Sequence, residues 1–151
     1  SLAPPLVVID QEESSFVAST LREERPIGRQ DIERVIRQFI ANRYEWTSLD
    51  PDQTRASIAP LATQVISRKI FAEMQKESAA FSDKAVSQRI TRPDIEIDEK
   101  KITAHFHRVL IVMETPLAIT TALSFQMVQG KRTYWNPAGL YVNGITEHSG
   151  T

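Results

Sequence analysis

The chain has 151 residues, with 18 Lys and Arg against 19 Asp and Glu, which gives a formal net charge of −1. That length corresponds to one domain, and the charge balance excludes a strongly basic nucleic-acid-binding surface, although not a small basic patch. Hydrophobic residues make up 41% and charged residues 25%, as in a globular rather than a disordered chain. The absence of cysteine excludes disulfides, thiolate metal sites and a cysteine nucleophile.

The first 28 residues are predicted to form a linker arm. Pro4 and Pro5 precede a short apolar run at residues 6–9, acidic residues interrupt the pattern, and residues 16–18 give a second weak strand signal. No apolar run approaches the roughly 18–20 residues of a membrane-spanning helix. The chain starts at Ser1 rather than Met, so we expect that it is cut from a longer protein.

A first helix is predicted at residues 29–46. Its apolar residues recur at the i, i+3, i+4, i+7 spacing of one buried helix face. Gly28 and Asp31 are alternative N-caps between which the sequence does not choose. Tyr44 and Trp46 are predicted to close the helix with large amphipathic rings.

Two further helices are predicted before the middle of the chain. Asp50 has the chemistry of an N-cap, Pro51 suits the first helical position and Gln53 occupies the capping-box position. These residues predict a short helix over about 51–58. Pro60 lacks an N–H group and interrupts the pattern, so a longer helix is predicted separately over about 61–80.

After residue 84 the hydrophobic period changes to two, which is typical of strands. The predicted strands lie at residues 86–90, 94–98, 101–113, 117–127 and 140–147. The apolar residues of the long strand share one face, with Arg108 the exception. Residues 114–116 are predicted to connect two strands tightly, and residues 130–131 to break the next strand. Tyr134 and Trp135 are predicted to resume it.

Helices followed by antiparallel strands make an α+β domain. We expect two to three N-terminal helices packed on a curved antiparallel sheet of four to five strands. A strongly curved sheet wrapped on helices gives a cone with a cavity at its wide end. One alternative function is therefore a cavity-type domain that binds a small apolar ligand at a mouth lined by Phe, Met and Leu.

His105 and His107 are the most plausible metal ligands, because residues i and i+2 of a strand share one face. A third ligand would have to come from His148 or from an acid such as Glu114. Two histidines without a third ligand favour a partly solvated sheet face instead. We therefore predict no metal site and no cofactor.

An acid–base enzyme of the same fold is a second alternative. A carboxylic acid buried in such a pocket can have a raised pKa and act as general acid or base. The candidate acids lie near strand ends: Asp83, Asp94, Asp98 and Glu114. No pattern marks one of them as buried, and the chain has neither a Gly-x-Ser-x-Gly elbow nor a phosphate-binding loop, so we predict no catalytic residues.

Two basic residues and two aromatic residues follow one another near the end of the chain. Lys131 and Arg132 precede Tyr134 and Trp135, and this order allows a stacking and charge patch for single-stranded nucleic acid. A hairpin with a solvated tip accounts for the same residues, and we favour it. No direct nucleic-acid partner is predicted.

The most informative stretch is a turn at residues 135–142. Asn136 can bond its own backbone, Pro137 fixes φ, and Gly139 permits a positive φ, which together predict a turn before the last strand. Leu140 and Tyr141, directly after it, are expected to be exposed near the surface.

An Asn-Pro-x-Gly turn leading into a final strand, after helices and long antiparallel strands, resembles the inner-membrane assembly proteins of type IV secretion systems. These are the VirB-type component-eight proteins and the TraE-type conjugation proteins. The resemblance covers about residues 29–147 in element order, and Asn136, Pro137 and Gly139 match as a motif. Where the family often has an aromatic residue after the Gly, this chain has Leu140, with Tyr141 one position later.

The resemblance implies a nuclear-transport-factor-2-like cone at residues 29–151, as the single periplasmic domain of a single-pass inner-membrane protein. It implies a non-catalytic scaffold of a secretion channel that binds itself, as a weak homodimer, and other channel subunits. Residues 1–28 would link the domain to a membrane helix that this chain lacks. Asn136, Pro137 and Gly139 would shape a turn used in assembly contacts, and we extend that surface to Leu140 and Tyr141.

Overall fold

The computed structural model describes residues 7–9, 26–99 and 101–148. The arm predicted at residues 1–28 lies mostly outside these ranges. The elements in chain order are β1 Val7–Ile9, α1 Arg29–Tyr44, α2 Pro51–Ile58, a 3₁₀ turn Ala59–Leu61, α3 Gln64–Ala80, β2 Val86–Ile90, β3 Asp94–Asp98, β4 Lys101–Val112, β5 Thr115–Gln129 and β6 Leu140–His148.

Helix α1 begins after Gly28, which settles the choice of N-cap. Asp31 lies at the third helical position and accepts a hydrogen bond from the backbone N–H of Gly28 at 3.0 Å, as in the acidic half of a capping box. The helix ends at Tyr44, two residues before the predicted end, and Trp46 instead pairs with Gln88 of β2. The predicted apolar stripe is buried: Ile32, Val35, Ile36, Phe39 and Ile40.

The start of helix α2 has the predicted capping chemistry. The Asp50 side chain accepts a hydrogen bond from the backbone N–H of Gln53 at 3.1 Å, and Pro51 is the first helical residue. Pro60 lies in the 3₁₀ turn after α2, because it has no N–H group to donate to an α-helical ladder. Helix α3 therefore starts at Gln64, three residues later than predicted.

The sheet is built around the long antiparallel pair β4 and β5. Strand β4 pairs with β3 through its first half and with β2 through its second half. Strand β5 pairs along its whole first part with β4, and from Ala122 onward also with β6 on its other side. Strand β1 adds a short parallel pairing with the end of β5. The predicted α+β class, with helices on a curved antiparallel sheet, is confirmed.

The connection between β4 and β5 is tighter than the predicted one at residues 114–116. Thr115 already pairs with Val112, so the turn consists of Met113 and Glu114 alone. Both residues have positive φ, 49° and 73°, which is the backbone of a type I′ turn. This turn usually contains Asn-Gly, and no residue here carries that signal, which explains why the sequence placed the connection one residue too late.

The core lies between the inner face of the sheet and the helices. Phe39 of α1 meets Phe125 of β5 edge to face, with ring centroids 6.0 Å apart. Phe106, Leu123 and Met127 are also buried, so residues expected to line an open cone mouth pack against other side chains instead.

One charged side chain is buried at the end of α1. Arg43 is 3% exposed, and its guanidinium bonds Glu77 of α3 at 3.0 Å and approaches Glu73 at 3.5 Å. Burial lowers the pKa of Arg43, but attraction from Tyr44, Glu77 and Glu73 outweighs it and holds that pKa above its ordinary value. The contact ties the last turn of α1 to α3.

Within the described ranges no helix is both long and apolar enough to cross a membrane.

Candidate functional site: the loop between β5 and β6

The predicted turn lies in the loop that joins β5 to β6. Thr133 and Asn136 exchange two backbone hydrogen bonds, of 3.1 and 3.2 Å, and Gly139 donates its N–H to the carbonyl of Asn136 at 3.0 Å. Gly130 donates to the carbonyl of Gly139 at 2.8 Å, which closes the base of the loop. The prediction that Tyr134 and Trp135 resume a strand is wrong, because these turn bonds hold them at the loop tip.

Asn136 is the internal support of this loop. It is 1% exposed, and its amide donates to the carbonyls of Pro60 at 3.0 Å and Leu140 at 2.7 Å. Its side-chain oxygen accepts from the N–H of Leu140 at 3.2 Å. The bond to Pro60 joins the loop to the turn between α2 and α3, far away in sequence. Asn136 therefore fixes where the loop sits on the helices.

The backbone conformation at position 139 requires glycine. Its φ is +66°, in the left-handed region that favours glycine, as the sequence predicted. A Cβ added there would lie 2.6 Å from the carbonyl oxygen of Gly130, so the loop base has no room for a side chain. Pro137 is exposed, and its carbonyl accepts a hydrogen bond from Arg132 at 3.2 Å.

The exposure expected of Leu140 is wrong. Leu140 is fully buried, because the first residues of β6 turn inward to pair with β5 and to meet the helices. Tyr141 is half-buried, packs its ring on Gly130 and donates its hydroxyl to the carbonyl of Lys131. Burial raises the pKa of Tyr141, and a hydrogen bond with Thr133 opposes that rise. Both residues support the loop from beneath.

The residues that the loop presents to solvent are Tyr134 and Trp135. They are 85% and 72% exposed, the two most exposed large hydrophobic side chains among the described residues. Their rings meet edge to face with centroids 4.8 Å apart. The sequence analysis left both out of the interaction surface. The signal that could have found them was the turn chemistry on their C-terminal side, which predicts a protruding tip.

The histidines do not form a metal site. His105 lies 3.8 Å from Glu96, His107 contacts Thr120 at 3.3 Å, and His148 contacts Ser124 at 2.6 Å. Each ring is thus held by a different neighbour on the outer face of the sheet. Over residues 26–99 and 101–148, no group of three His, Cys, Asp or Glu residues could hold a metal ion.

The four acids of the enzyme alternative are all exposed: Asp83, Asp94, Asp98 and Glu114. None of the four is thus the buried carboxylic acid that the enzyme alternative requires. A groove of about 720 Å³ lies beside the end of α1, where Trp46, Asn42 and Arg89 contribute to its lining. Its lining is largely polar, unlike the apolar mouth expected for the cavity alternative.

The chain resembles known proteins in its structure but not in its sequence. Neither a family model nor a curated protein matches the chain. Several solved structures do. The transfer protein TraH from the Gram-positive conjugative plasmid pIP501 superimposes with a TM-score of 0.67 at 10% identity, over 83% of this chain and 97% of TraH.

Two further proteins match similarly, the first of them a component of a type IV secretion system. The TrwG component from Bartonella birtlesii has a TM-score of 0.62 at 13% identity, over 83% of this chain and 95% of TrwG. The VirB8 protein of Agrobacterium tumefaciens has a TM-score of 0.58 at 12% identity, over 82% of this chain and 96% of VirB8.

The chain has the VirB8 fold.

The resemblance stated from the Asn-Pro-x-Gly turn and the element order is thereby confirmed for the fold. The predicted nuclear-transport-factor-2-like architecture is confirmed with it, since helices on a curved antiparallel sheet are what VirB8 and this chain share. Identities of 10–13% carry no residue roles from those proteins to this VirB8-like chain.

Proposed function

We propose that this domain is a non-catalytic assembly component of a type IV secretion channel, of the kind that transfers DNA in conjugation. The observation that carries the proposal is the fold, which the chain shares with TraH, TrwG and VirB8 over more than nine-tenths of each of those chains. By name, TraH is a transfer protein, TrwG is a component of a type IV secretion system, and CagV of Helicobacter pylori, which has the same fold, is a VirB8 homolog of such a system. The exposure of the candidate acids removes the main support for an acid–base enzyme.

The domain acts through self-association, as a weak homodimer, and through contacts with other channel subunits. We place it in the periplasm, as the outer domain of a single-pass inner-membrane protein, with residues 1–28 as the linker to the membrane helix. No cofactor and no direct nucleic-acid contact is part of the proposal.

The interaction surface of the proposal is the loop shaped by the Asn-Pro-x-Gly turn. Asn136, Gly139 and Leu140 hold it from inside, and Tyr141 packs beneath it. Pro137 stands at its surface together with two further residues, the aromatic pair Tyr134 and Trp135. Aromatic side chains are the ones that most often anchor protein interfaces, because they bury a large area with few rotatable bonds.

The test replaces the two exposed aromatic residues of the loop and leaves Asn136 and Gly139, which hold the loop in place, unchanged. A Tyr134→Ser/Trp135→Ser double variant removes two exposed rings, so its free energy of unfolding should stay within about 0.5 kcal/mol of the parent's. Conjugative transfer from cells that carry this variant should fall at least tenfold, and a channel subunit that co-purifies with the parent should be lost. Lys76→Ser, at an exposed site on α3, is the matched control.

Normal transfer by a stable double variant would overturn the role of the loop. Normal transfer after deletion of the whole gene would overturn the secretion function itself.

A further inference from the structure

The groove beside the end of α1 is bounded on its other side by the start of α2. Ala41 and Glu45 line it from α1, and Gln53 and Thr54 line it from α2. Its volume of about 720 Å³ lies within the roughly 300–1,000 Å³ of pockets that hold small molecules. No residue of the loop between β5 and β6 contributes to it, so the proposed interaction surface leaves this groove unused.

The walls of the groove are held in place by the protein itself. The side-chain amide of Asn42 donates to the carbonyl of Ser57 at 3.0 Å, which joins α1 to α2. Trp46 and Gln88 exchange two backbone hydrogen bonds, of 3.1 and 2.9 Å, which join the loop after α1 to β2. A groove that is already formed loses little conformational entropy when a ligand binds.

Several polar groups of the lining are available to a ligand. The side-chain amide of Gln53 and the guanidinium of Arg89 make no hydrogen bond or ion pair to another described residue. The indole N–H of Trp46 is shielded from solvent and has no acceptor among the residues that the structure describes. Buried indole N–H groups normally have one. The groove therefore has donors that its own walls do not satisfy.

The charges of the lining indicate which ligands fit. Glu45 and Asp50 bring two exposed carboxylates, and Arg89 brings one exposed guanidinium. Two negative charges against one positive charge disfavour a polyanion such as a nucleotide, and the polar lining disfavours a lipid. Carboxylates accept hydrogen bonds and amides both donate and accept, so this lining suits a ligand rich in hydroxyl groups.

An apolar surface completes the groove. Trp46 and Ile90 are partly buried, pack against the hydrophobic core and line the groove together with Ala41. A pyranose ring has C–H groups on its face and hydroxyl groups around its rim. The large flat ring of a tryptophan, with polar side chains beside it, matches both parts of such a ligand.

We propose that this groove binds a chain of N-acetylated sugar rings, which is the chemistry of the bacterial cell-wall glycan. One ring packs on Trp46, and its hydroxyl groups bond Glu45 and Gln53. The methyl group of an acetamide meets Ile90, and Arg89 pairs with the carboxylate that every second sugar of that glycan carries. The proposal rests on the periplasmic location within the proposed function, because the cell wall lies in that compartment.

The two tryptophans of the chain make a specific test possible, because Trp46 lines the groove and Trp135 lies at the tip of the loop. In a Trp135→Phe variant, the fluorescence of the protein reports the groove alone. A tetrasaccharide of alternating N-acetylglucosamine and N-acetylmuramic acid should shift that emission to a saturating value. The matched control is Trp46→Phe, whose remaining tryptophan lies outside the groove and should show no shift.

The role of Arg89 is tested with two ligands. Arg89→Gln removes the positive charge and should weaken binding of the tetrasaccharide about tenfold, which is the effect of one charge-assisted hydrogen bond. The tetramer of N-acetylglucosamine has no carboxylate, so it should bind the parent and Arg89→Gln equally. Arg92→Gln removes a charge from an exposed site outside the groove and should bind both ligands like the parent. Both arginines are exposed, so neither change should disturb the fold.

Three results would overturn the proposal. They are the absence of a saturable shift with either glycan, equal weakening by Arg89→Gln and Arg92→Gln, and equal affinity for cellotetraose, whose rings lack acetamide groups. Binding is measured on the purified chain, so its failure would leave the secretion function standing. Specific glycan binding by a domain whose deletion leaves DNA transfer normal would support the groove and remove the channel role.

Discussion

At the scale of single residues, neighbouring side chains of the loop between β5 and β6 have different roles: some hold the loop in place, and others are exposed to solvent. Asn136 is buried with three hydrogen bonds, whereas Trp135 beside it is 72% exposed. Unpaired buried polar groups are costly, so the carbonyls of Pro60 and Leu140 depend on that one amide. The free energy of unfolding of any variant in this motif should therefore be measured before a defect in assembly is attributed to a lost contact.

The Gly139→Ala variant tests whether Gly139 is needed for the backbone at the base of this loop. Left-handed backbone costs about 1–2 kcal/mol for an alanine, and the added Cβ would lie 2.6 Å from the Gly130 carbonyl. We expect the free energy of unfolding, measured with urea, to fall by at least about 2 kcal/mol once the displaced carbonyl is included.

The control for that change is Gly28→Ala. Its added Cβ meets nothing within 4 Å, so only the N-cap preference of glycine over alanine is lost, below about 1 kcal/mol. Equal losses of stability in the two variants would contradict the role given to Gly139.

At the scale of elements, the helices are defined at their ends by local chemistry and held together by long-range contacts. Asp50 caps α2 through the N–H of Gln53, a contact within one turn of chain. Arg43 joins α1 to α3 across 34 residues, through Glu77. The first contact was predictable from the sequence, and the second was not.

The cap of α2 gives a prediction at this scale. Asp50→Ala removes the acceptor for the Gln53 N–H and should lower the free energy of unfolding by about 0.5–2 kcal/mol. Asp50→Ser keeps a side-chain oxygen at the cap and should recover most of that loss. Chemical denaturation of the three proteins at one pH measures both effects; a Ser variant as unstable as the Ala variant would argue against capping.

At the scale of the whole molecule, the fold is shared with VirB8 while the sequence is not, at 12% identity. A fold by itself permits many functions, so the secretion role must be tested where the protein works. The proposed location outside the cytoplasm is the part of that role that one measurement can decide.

Alkaline phosphatase is active only after export, which makes it a reporter of location. Fused after Thr151 in the full-length gene, it should be active in intact cells and fractionate with the membrane. A cytoplasmic maltose-binding protein fused to phosphatase sets the background. Activity no higher than that background, with soluble protein, would contradict the proposed periplasmic location.

The sequence alone determined the features that depend on neighbouring residues. The buried stripe of α1, the alternation along β4 and β5, the cap at Asp50 and the left-handed position of Gly139 all follow from periodicity or backbone sterics. Together with the Asn-Pro-x-Gly turn they led to the correct fold.

Only the tertiary structure decided which residues reach solvent around the turn and where β6 pairs with β5. Leu140 is buried and Trp135 exposed because Asn136 binds the loop to Pro60, 76 residues earlier in the chain. Among the described residues, β6 pairs with β5 only from Ala122 onward, because the strand begins at Leu140 opposite Gln129. Contacts between distant segments set both features, and no local pattern encodes them.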